Sequence, residues 1–265
     1  CIRDRVCMSA AYAMENKGMS AVAAVVISLL IGTLFGIVQG YLVTYLEIQP
    51  FIVTLAGMFF GRGLTAVIST DMIAIQNKTF LKWANYRINL PFGTYNRRGI
   101  FIPAYIYPTV IIALAVVILI TIMLKFTKFG RSLYAIGGNQ QSAVMMGLNV
   151  KRTKMKAYVL DGFLAGLGGF LFCLNSCAGF VEQAKGLEMD AIASAVIGGT
   201  LLSGGVGTVI GTLFGVLING TISSLITTQG TLSSWWVRIT LSALLCFFIV
   251  LQAVIAAVKR KKKKK

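Results

Sequence analysis

Long stretches with at most one charged side chain are the feature that most constrains this chain. The longest, residues 191–237, runs for 47 residues without any charge, and residues 239–258 form a further run of 20. The other four cover residues 20–46, 50–70, 103–124 and 157–181. An apolar helix needs about 20 residues to cross a bilayer, so the runs predict about six to seven spans in this chain. The expected fold is all-α, a polytopic bundle of transmembrane helices.

The composition excludes the other broad classes of protein. Only 12% of the residues are charged and 57% are hydrophobic, whereas a soluble domain carries about 25% charged residues. Disorder requires low hydrophobicity, and a membrane β-barrel alternates apolar and polar residues over segments of about ten. The net charge is +17, and seven of the basic residues lie in the tail at residues 259–265. Positive cytoplasmic loops explain this excess more simply than nucleic-acid binding does.

The distribution of charge predicts the orientation of the spans. Residues 125–156, the basic segment, hold seven basic residues and no acidic one. The positive-inside rule places the basic segment and the tail in the cytoplasm. The acidic stretch at residues 182–190 is then outside. Residues 71–102, expected to form a long loop, must also be outside by span parity, although they carry five basic residues.

The 47-residue run is too long for one helix and predicts a broken one. Span parity divides it into an inward segment at residues 191–203 and an outward segment at residues 206–228. The first has 13 residues, about 20 Å of helix, which is shorter than the bilayer core of about 30 Å. We therefore expect a half-membrane helix that ends near Gly204. Irregular backbone at membrane depth persists where it is buried in protein or lines a water-filled cavity, so the break points to the transport path.

Internal similarity links two of the apolar runs. The sequence IGTLFG occurs at residues 31–36 and again at residues 210–215. The predicted topology gives the two copies opposite directions, as in an inverted repeat. The alternative is a chance match, because membrane helices are built from few residue types. Both copies belong to series of glycines spaced four apart, a spacing that favours close helix packing over ligand binding.

No constellation for catalysis or metal binding is present in the sequence. Histidine, the commonest general base, does not occur, and the five cysteines lack metal-ligand spacing. A nucleotide-binding loop of the form Gly-x-x-x-x-Gly-Lys-(Ser/Thr) is also missing. We therefore expect no enzyme activity, cofactor or metal site in this chain.

The basic segment contains the clearest local signals. Asn139 follows Gly137 and Gly138 and can cap the start of a short helix. Ala143, Val144 and Met146 would form an apolar face on it, and Gly147 would end it. Such a helix suits a groove in a soluble partner, or it lies flat on the lipid headgroups; spacing alone does not decide.

Three sequence blocks in the same order carry a family resemblance. They read PFIVTLAGM with Arg62-Gly63, then GRSLYAIGGN with GLN at residues 147–149, and then EMDAIASAVIGGT with GGVG at residues 204–207. They resemble the permease subunits of ABC-type sugar importers in the ribose/xylose/galactose-type branch. The sequences LLS at residues 201–203 and GTLSSWW at residues 230–236 look most like the galactofuranose-type permeases. The resemblance covers nearly all of residues 14–258.

The start of the chain departs from that pattern. The family carries two or three further spans and a Gly-(Ile/Phe)-Asp-Leu-Ser-Val-Gly-Ser motif, which the first nine residues do not match. We therefore expect residues 1–258 to form a single permease domain that is incomplete at its N-terminus. Within it, residues 128–156 would form the cytoplasmic coupling loop, and residues 259–265 would follow as a basic tail.

The resemblance implies partners and site residues. A second permease subunit, identical or different, would complete a dimer in the bacterial inner membrane, a separate ABC ATPase would grip the coupling loops, and a periplasmic binding protein would deliver a monosaccharide. The residues assigned to the ATPase contact are Gly137, Gly138, Asn139, Ala143, Gly147 and Leu148. The residues assigned to the translocation path are Phe51, Thr54, Gly198, Gly199, Gly204, Gly205, Gly207 and Asn219.

Two other function classes are weighed against this one. An ion-gradient-driven secondary transporter of a small polar solute would use carboxylates near the membrane midplane, and the predicted spans contain only Asp161. A membrane enzyme would need a catalytic set of side chains, which the sequence does not offer.

Overall fold

The computed structural model describes residues 2–95, 101–181, 184–228, 236, 239–240, 242–251 and 254. The helices of this part are α1 Ile2–Glu15, α2 Ala21–Thr44, α3 Pro50–Ile68, α4 Lys78–Asn85, α5 Pro108–Phe126, α6 Lys128–Gly138, α7 Gln140–Met145, α8 Val150–Ser176, α9 Leu187–Ile197, α10 Val209–Thr228 and α11 Ser242–Leu251. The strands are β1 Ile73–Ala74, β2 Ile88–Tyr95, β3 Phe101–Ile106 and β4 Ala178–Gly179. The strands form two small antiparallel pairs, β1 with β4 and β2 with β3.

Five of the helices are long and apolar enough to cross a membrane: α2, α3, α5, α8 and α10. The shortest two have 19 residues, about 28 Å of helix, which matches the bilayer core. This confirms the predicted polytopic helical bundle. Of the predicted last span, residues 239–258, the structure describes the ten-residue apolar helix α11; residues 255–258 and the tail at residues 259–265 lie outside the described residues.

The ends of two helices and the content of one predicted loop differ from expectation. The span expected at residues 103–124 begins only at Pro108, because the preceding residues pair as β3 with β2. The helix that contains the span expected at residues 157–181 runs from Val150 to Ser176, since Lys and Arg are good helix formers and extend α8 into the basic segment. The long loop expected at residues 71–102 contains α4 as well as β1 and β2.

The chain divides into two compact units. Unit 1 comprises Cys1–Val116 and Lys151–Lys185, and unit 2 comprises Val117–Val150 and Gly186–Lys265. Within unit 1, α1 forms the centre: Val6, Cys7 and Ala10 are completely buried, and α1 packs against α2, α3, β1 and β4. The stretch that departs from the family pattern is therefore the start of a core helix.

Glycines bring helix backbones together in both units. In unit 1, a Cβ on Gly36 would lie 3.0 Å from the Cα of Gly162 in α8, and a Cβ on Gly166 would lie 2.7 Å from the carbonyl oxygen of Ser28 in α2. In unit 2, a Cβ on Gly215 in α10 would overlap the carbonyl oxygen of Ser194 in α9. Both copies of the IGTLFG sequence are thus helical and pack closely, which confirms the packing interpretation of the glycines.

Candidate functional site

The predicted short helix is present in unit 2 and is capped as expected. The backbone N–H of Asn139 donates to the carbonyl of Ala135, which ends α6, and the Oδ1 of Asn139 accepts from the N–H of Ser142 at 3.0 Å, which starts α7. One asparagine therefore joins α6 to α7 without a loop. This confirms the predicted N-cap.

Gly147 ends α7, also as predicted. Its φ of 76° lies in the left-handed region, where glycine is favoured. The N–H of Leu148 then donates to the carbonyl of Ala143 at 3.1 Å, and the N–H of Gly147 donates to the carbonyl of Val144 at 2.9 Å. The helix therefore has only six residues and closes tightly at both ends.

The structure divides the expected apolar face of α7 into two. Ala143 is fully buried and packs with Ile136 and Val150, with Leu148 against them. This small cluster holds α7 to α6. Val144 and Met146 face away and are 56% and 66% exposed. Met145, for which the sequence predicted no role, is 87% exposed. Three neighbouring apolar side chains are thus exposed on the outer surface of α7 and its C-cap.

The predicted break follows α9 in unit 2. This helix has 11 residues, about 16 Å. It ends at Ile197, six residues before the expected position, because Gly199 has a φ of 86°. The chain then forms an irregular stretch at residues 198–208, the glycine turn, in which the N–H of Leu201 donates to the carbonyl of Val206 at 3.0 Å. Gly204 and Gly205 also have positive φ.

The glycine turn lies directly against the junction of α6 and α7. A Cβ on Gly137 would lie 2.6 Å from the backbone nitrogen of Gly205, and a Cβ on Gly205 would lie 2.7 Å from the Cα of Gly138. The hydroxyl of Tyr134 donates to the carbonyl of Gly207 at 2.9 Å. Gly137 and Gly138, predicted for the ATPase contact, therefore meet Gly205, which was predicted for the translocation path.

A cleft of about 490 Å³ opens beside this contact. Tyr134 of α6 and Thr200, Val206 and Thr212 around the glycine turn are among its lining residues. No role for Tyr134 was predicted from the sequence. Its place within the GRSLYAIGGN block was the available sequence signal. The partner of its hydroxyl lies 73 residues away, so no local pattern identifies this hydrogen bond.

The other predicted path residues are placed as follows. Phe51 and Thr54 lie on α3 in unit 1; Phe51 is 69% exposed, and the hydroxyl of Thr54 donates to the carbonyl of Pro50 in its own helix at 2.9 Å. Asn219 is buried in unit 2, where its Nδ2 donates to the Oγ of Ser194 at 3.2 Å. Gly198 lies at the end of α9 against Gly211 of α10.

Among the described residues, no group of three or more His, Cys, Asp or Glu side chains is placed to hold a metal ion.

Several transport proteins are similar to this chain. The inner membrane ABC transporter permease protein YjfF of Escherichia coli (strain K12) is 42% identical over 91% of this chain and 70% of its own length. The fructose import permease protein FruG of Bifidobacterium longum (strain NCC 2705) is 36% identical over 92% of this chain and 71% of its own length. The ribose import permease protein RbsC of Bacillus subtilis (strain 168) is 37% identical over 80% and 62%. No solved structure gives a significant match.

A family model also matches residues 5–250 of the 265 residues in the chain. The model is described as "Branched-chain amino acid transport system / permease component". The match extends over both compact units and includes α1 from its fourth residue. The chain is a membrane permease and belongs to this family of transport-system permease components.

Proposed function

We propose that this chain is the permease subunit of an ATP-driven ABC importer that passes a monosaccharide from an extracytoplasmic binding protein to the cytoplasm. The names of the similar ribose and fructose import permeases support a sugar, and the similarity to an inner membrane protein supports the bacterial inner membrane. ATP is hydrolysed in a separate ATPase subunit. A second permease subunit, identical or different, completes the pathway.

The uncovered side chains of α7 are the observation that supports the ATPase contact. Val144, Met145 and Met146 project from α7 and its C-cap, in the basic segment that the positive-inside rule assigns to the cytoplasm. A short apolar helix face fits a groove in a partner, and methionine adapts to such a groove because its side chain is flexible and polarizable. In an ABC permease the cytoplasmic partner is the ATPase, so α7 is its docking helix within the coupling loop at residues 128–156.

The contact between α6 and the glycine turn supports a route from ATPase to path. The buried cluster around Ala143 makes α6 and α7 move together. Displacement of α7 therefore also moves α6. This movement presses Gly137 against Gly205 and pulls on the carbonyl of Gly207 through its hydrogen bond with Tyr134. The glycine turn is irregular backbone between two apolar helices, the setting in which transporters place their path. Phe51, Thr54 and Asn219 are further path residues in this proposal.

Met145→Glu tests the docking helix. Burial of a methionine is worth about 1.5–3 kcal/mol, so its loss weakens ATPase binding at least about tenfold. The purified permease is titrated with its ATPase, and ATP-dependent sugar uptake is measured in proteoliposomes. Met72→Glu is the matched control, because Met72 is 64% exposed and lies outside the basic segment.

The proposal expects weak ATPase binding and lost uptake for Met145→Glu only. Normal ATPase binding and uptake in this variant would show that α7 does not dock the ATPase. Normal ATPase binding together with reduced affinity for anionic lipid vesicles would place α7 on the headgroups instead.

A further inference from the structure

A second pocket lies in unit 1, far along the chain from the coupling loop. It has a volume of about 110 Å³ and is formed where the end of α4, the start of α5 and the end of α8 meet. Its lining includes Trp83, Asn85, Tyr107, Thr109, Asn175 and Cys177. Two aromatic rings and two amides converge there, a combination that differs from the apolar surface of the neighbouring spans.

The aromatic wall of this pocket is held in place. Tyr107 meets the ring of Tyr105 edge to face, with centroids 5.5 Å apart and an angle of 84°. The guanidinium of Arg87 lies 4.4 Å from the centroid of Tyr105 and 5.7 Å from that of Tyr107. Cation–π contacts of this kind stabilise a ring in one orientation, so Tyr107 offers a fixed surface.

The helix that carries Trp83 is anchored as well. Phe80 of α4 is fully buried and packs edge-on against Phe170 of α8, with centroids 6.1 Å apart. At the start of α4, the carboxylate of Glu15 accepts from the N–H groups of Gln76 at 2.7 Å and Asn77 at 3.1 Å. Trp83 is nevertheless 38% exposed. Its ring is therefore accessible on a helix that cannot easily move.

The polar groups of the pocket retain their hydrogen-bonding capacity. Within the residues that the structure describes, the side chains of Trp83, Asn85 and Asn175 make no hydrogen bond. No Asp, Glu, Lys or Arg is among the described lining residues. Burial, and then the neighbouring Cys173, raises the pKa of the Cys177 thiol. The pocket therefore suits a neutral polar ligand rather than an ion or a zwitterionic amino acid.

The ends of α8 indicate the side of the membrane on which the pocket opens. The first turns of α8 carry Lys151, Arg152 and Lys154, whereas Asn175 lies in its last turn. The helix has 27 residues, about 40 Å, so its two ends lie on opposite sides of a bilayer. The positive-inside rule assigns the basic end to the cytoplasm. The pocket is then on the outer side, where a binding protein would release its cargo.

We propose that this pocket is the entry site at which one edge of a neutral monosaccharide first binds. The apolar C–H face of a sugar ring packs on the negative π-face of Trp83, while Asn85 and Asn175 hydrogen-bond to its hydroxyls. A volume of about 110 Å³ holds only roughly four water-sized groups. It therefore takes part of the ring and binds weakly, as a conduit requires. The choice of a sugar rests on the proposed function.

Tryptophan fluorescence of the full chain tests this site. The protein has three tryptophans, so Trp235→Phe with Trp236→Phe leaves Trp83 as the only one. D-Ribose, D-galactose and D-fructose are titrated against this permease in nanodiscs, with L-leucine as the zwitterionic comparison. We expect saturable quenching at millimolar sugar and none with leucine. Asn175→Ala is expected to raise the half-saturating sugar concentration about two- to tenfold. Asn16→Ala, an exposed asparagine outside the pocket, is the matched control.

ATP-dependent sugar uptake by the same protein, assembled with its ATPase and binding protein, separates the two proposals. Uptake with no sugar-dependent change at Trp83, or with quenching that Asn175→Ala leaves unaltered, overturns the entry site alone. Quenching by leucine and not by sugars overturns the assignment of the ligand. Absence of ATP-dependent sugar uptake overturns the proposed function itself.

Discussion

Gly137→Ala distinguishes the internal contact of α6 with the glycine turn from any contact with a partner. The added methyl group would lie 2.6 Å from the backbone nitrogen of Gly205 and 3.2 Å from its Cα. Both atoms belong to the main chain, so no side chain can rotate away and the glycine turn must shift. Overpacking of this kind costs about 1–3 kcal/mol.

The neighbouring Gly138→Ala is the matched control. A Cβ on Gly138 meets no atom within 4 Å, and Gly138 is absent from the glycines with positive φ. The substitution therefore introduces neither overlap nor backbone strain. We expect it to leave stability within about 0.5 kcal/mol of the unsubstituted protein or slightly above it.

The assay is the ratio of sugar molecules transported to ATP molecules hydrolysed by the reconstituted transporter. Weakening a contact by about 1.4 kcal/mol changes the equilibrium between its formed and broken states tenfold. Gly137→Ala is therefore expected to lower the ratio of sugar transported to ATP hydrolysed severalfold, while ATPase binding persists. Gly138→Ala should match the unsubstituted protein. Equal ratios for the two alanine variants would refute the idea that the contact with Gly205 transmits the ATPase motion.

Three further substitutions probe the same region. Gly138→Glu should abolish ATPase binding without lowering thermal stability, because a Cβ at Gly138 meets no atom of this chain within 4 Å; retained binding would remove Gly138 from the docking surface. Ala143→Asp places an unpaired carboxylate in the fully buried cluster of α6 and α7, and should lower the melting temperature and uptake together; an unchanged melting temperature would contradict the role of that cluster. Tyr134→Phe removes the hydrogen bond to Gly207, which is worth about 0.5–1.5 kcal/mol. It should reduce the sugar transported per ATP, whereas the control Tyr41→Phe should not. Equal ratios for the two variants would exclude the Tyr134 hydroxyl from coupling.

The spans were predictable because membrane insertion is decided by local composition. A charge-free run of about 20 residues has few alternatives to a helix, and α2, α3 and α10 lie close to the expected ranges. The ends of α5 and α8 were not predictable in this way. Strand β3 forms only because β2 is available to pair with it, and the extension of α8 across Lys151 depends on helix propensity rather than on hydropathy.

The same distinction applies to the site. Asn139 and Gly147 act on residues within five positions of themselves, so their capping roles follow from sequence. The contact of Gly137 with Gly205 joins residues 68 positions apart. The chain has 28 glycines, and nothing in the sequence indicates which of them meet. The burial of Ala143 beside the exposed Met145 likewise depends on which side α6 packs. Tertiary packing, not local pattern, decides these features.

The proposed energy source can be tested most directly by accumulation of radiolabelled sugar in proteoliposomes that contain this permease, with its second permease subunit where one is needed, and the extracytoplasmic binding protein. The ATPase is present or omitted, with ATP on its side of the membrane, and sodium and proton gradients are imposed separately. An ABC permease predicts accumulation that requires both the ATPase and ATP and is indifferent to the ion gradients. Accumulation that persists without the ATPase and follows an imposed ion gradient would identify a secondary transporter and contradict the account.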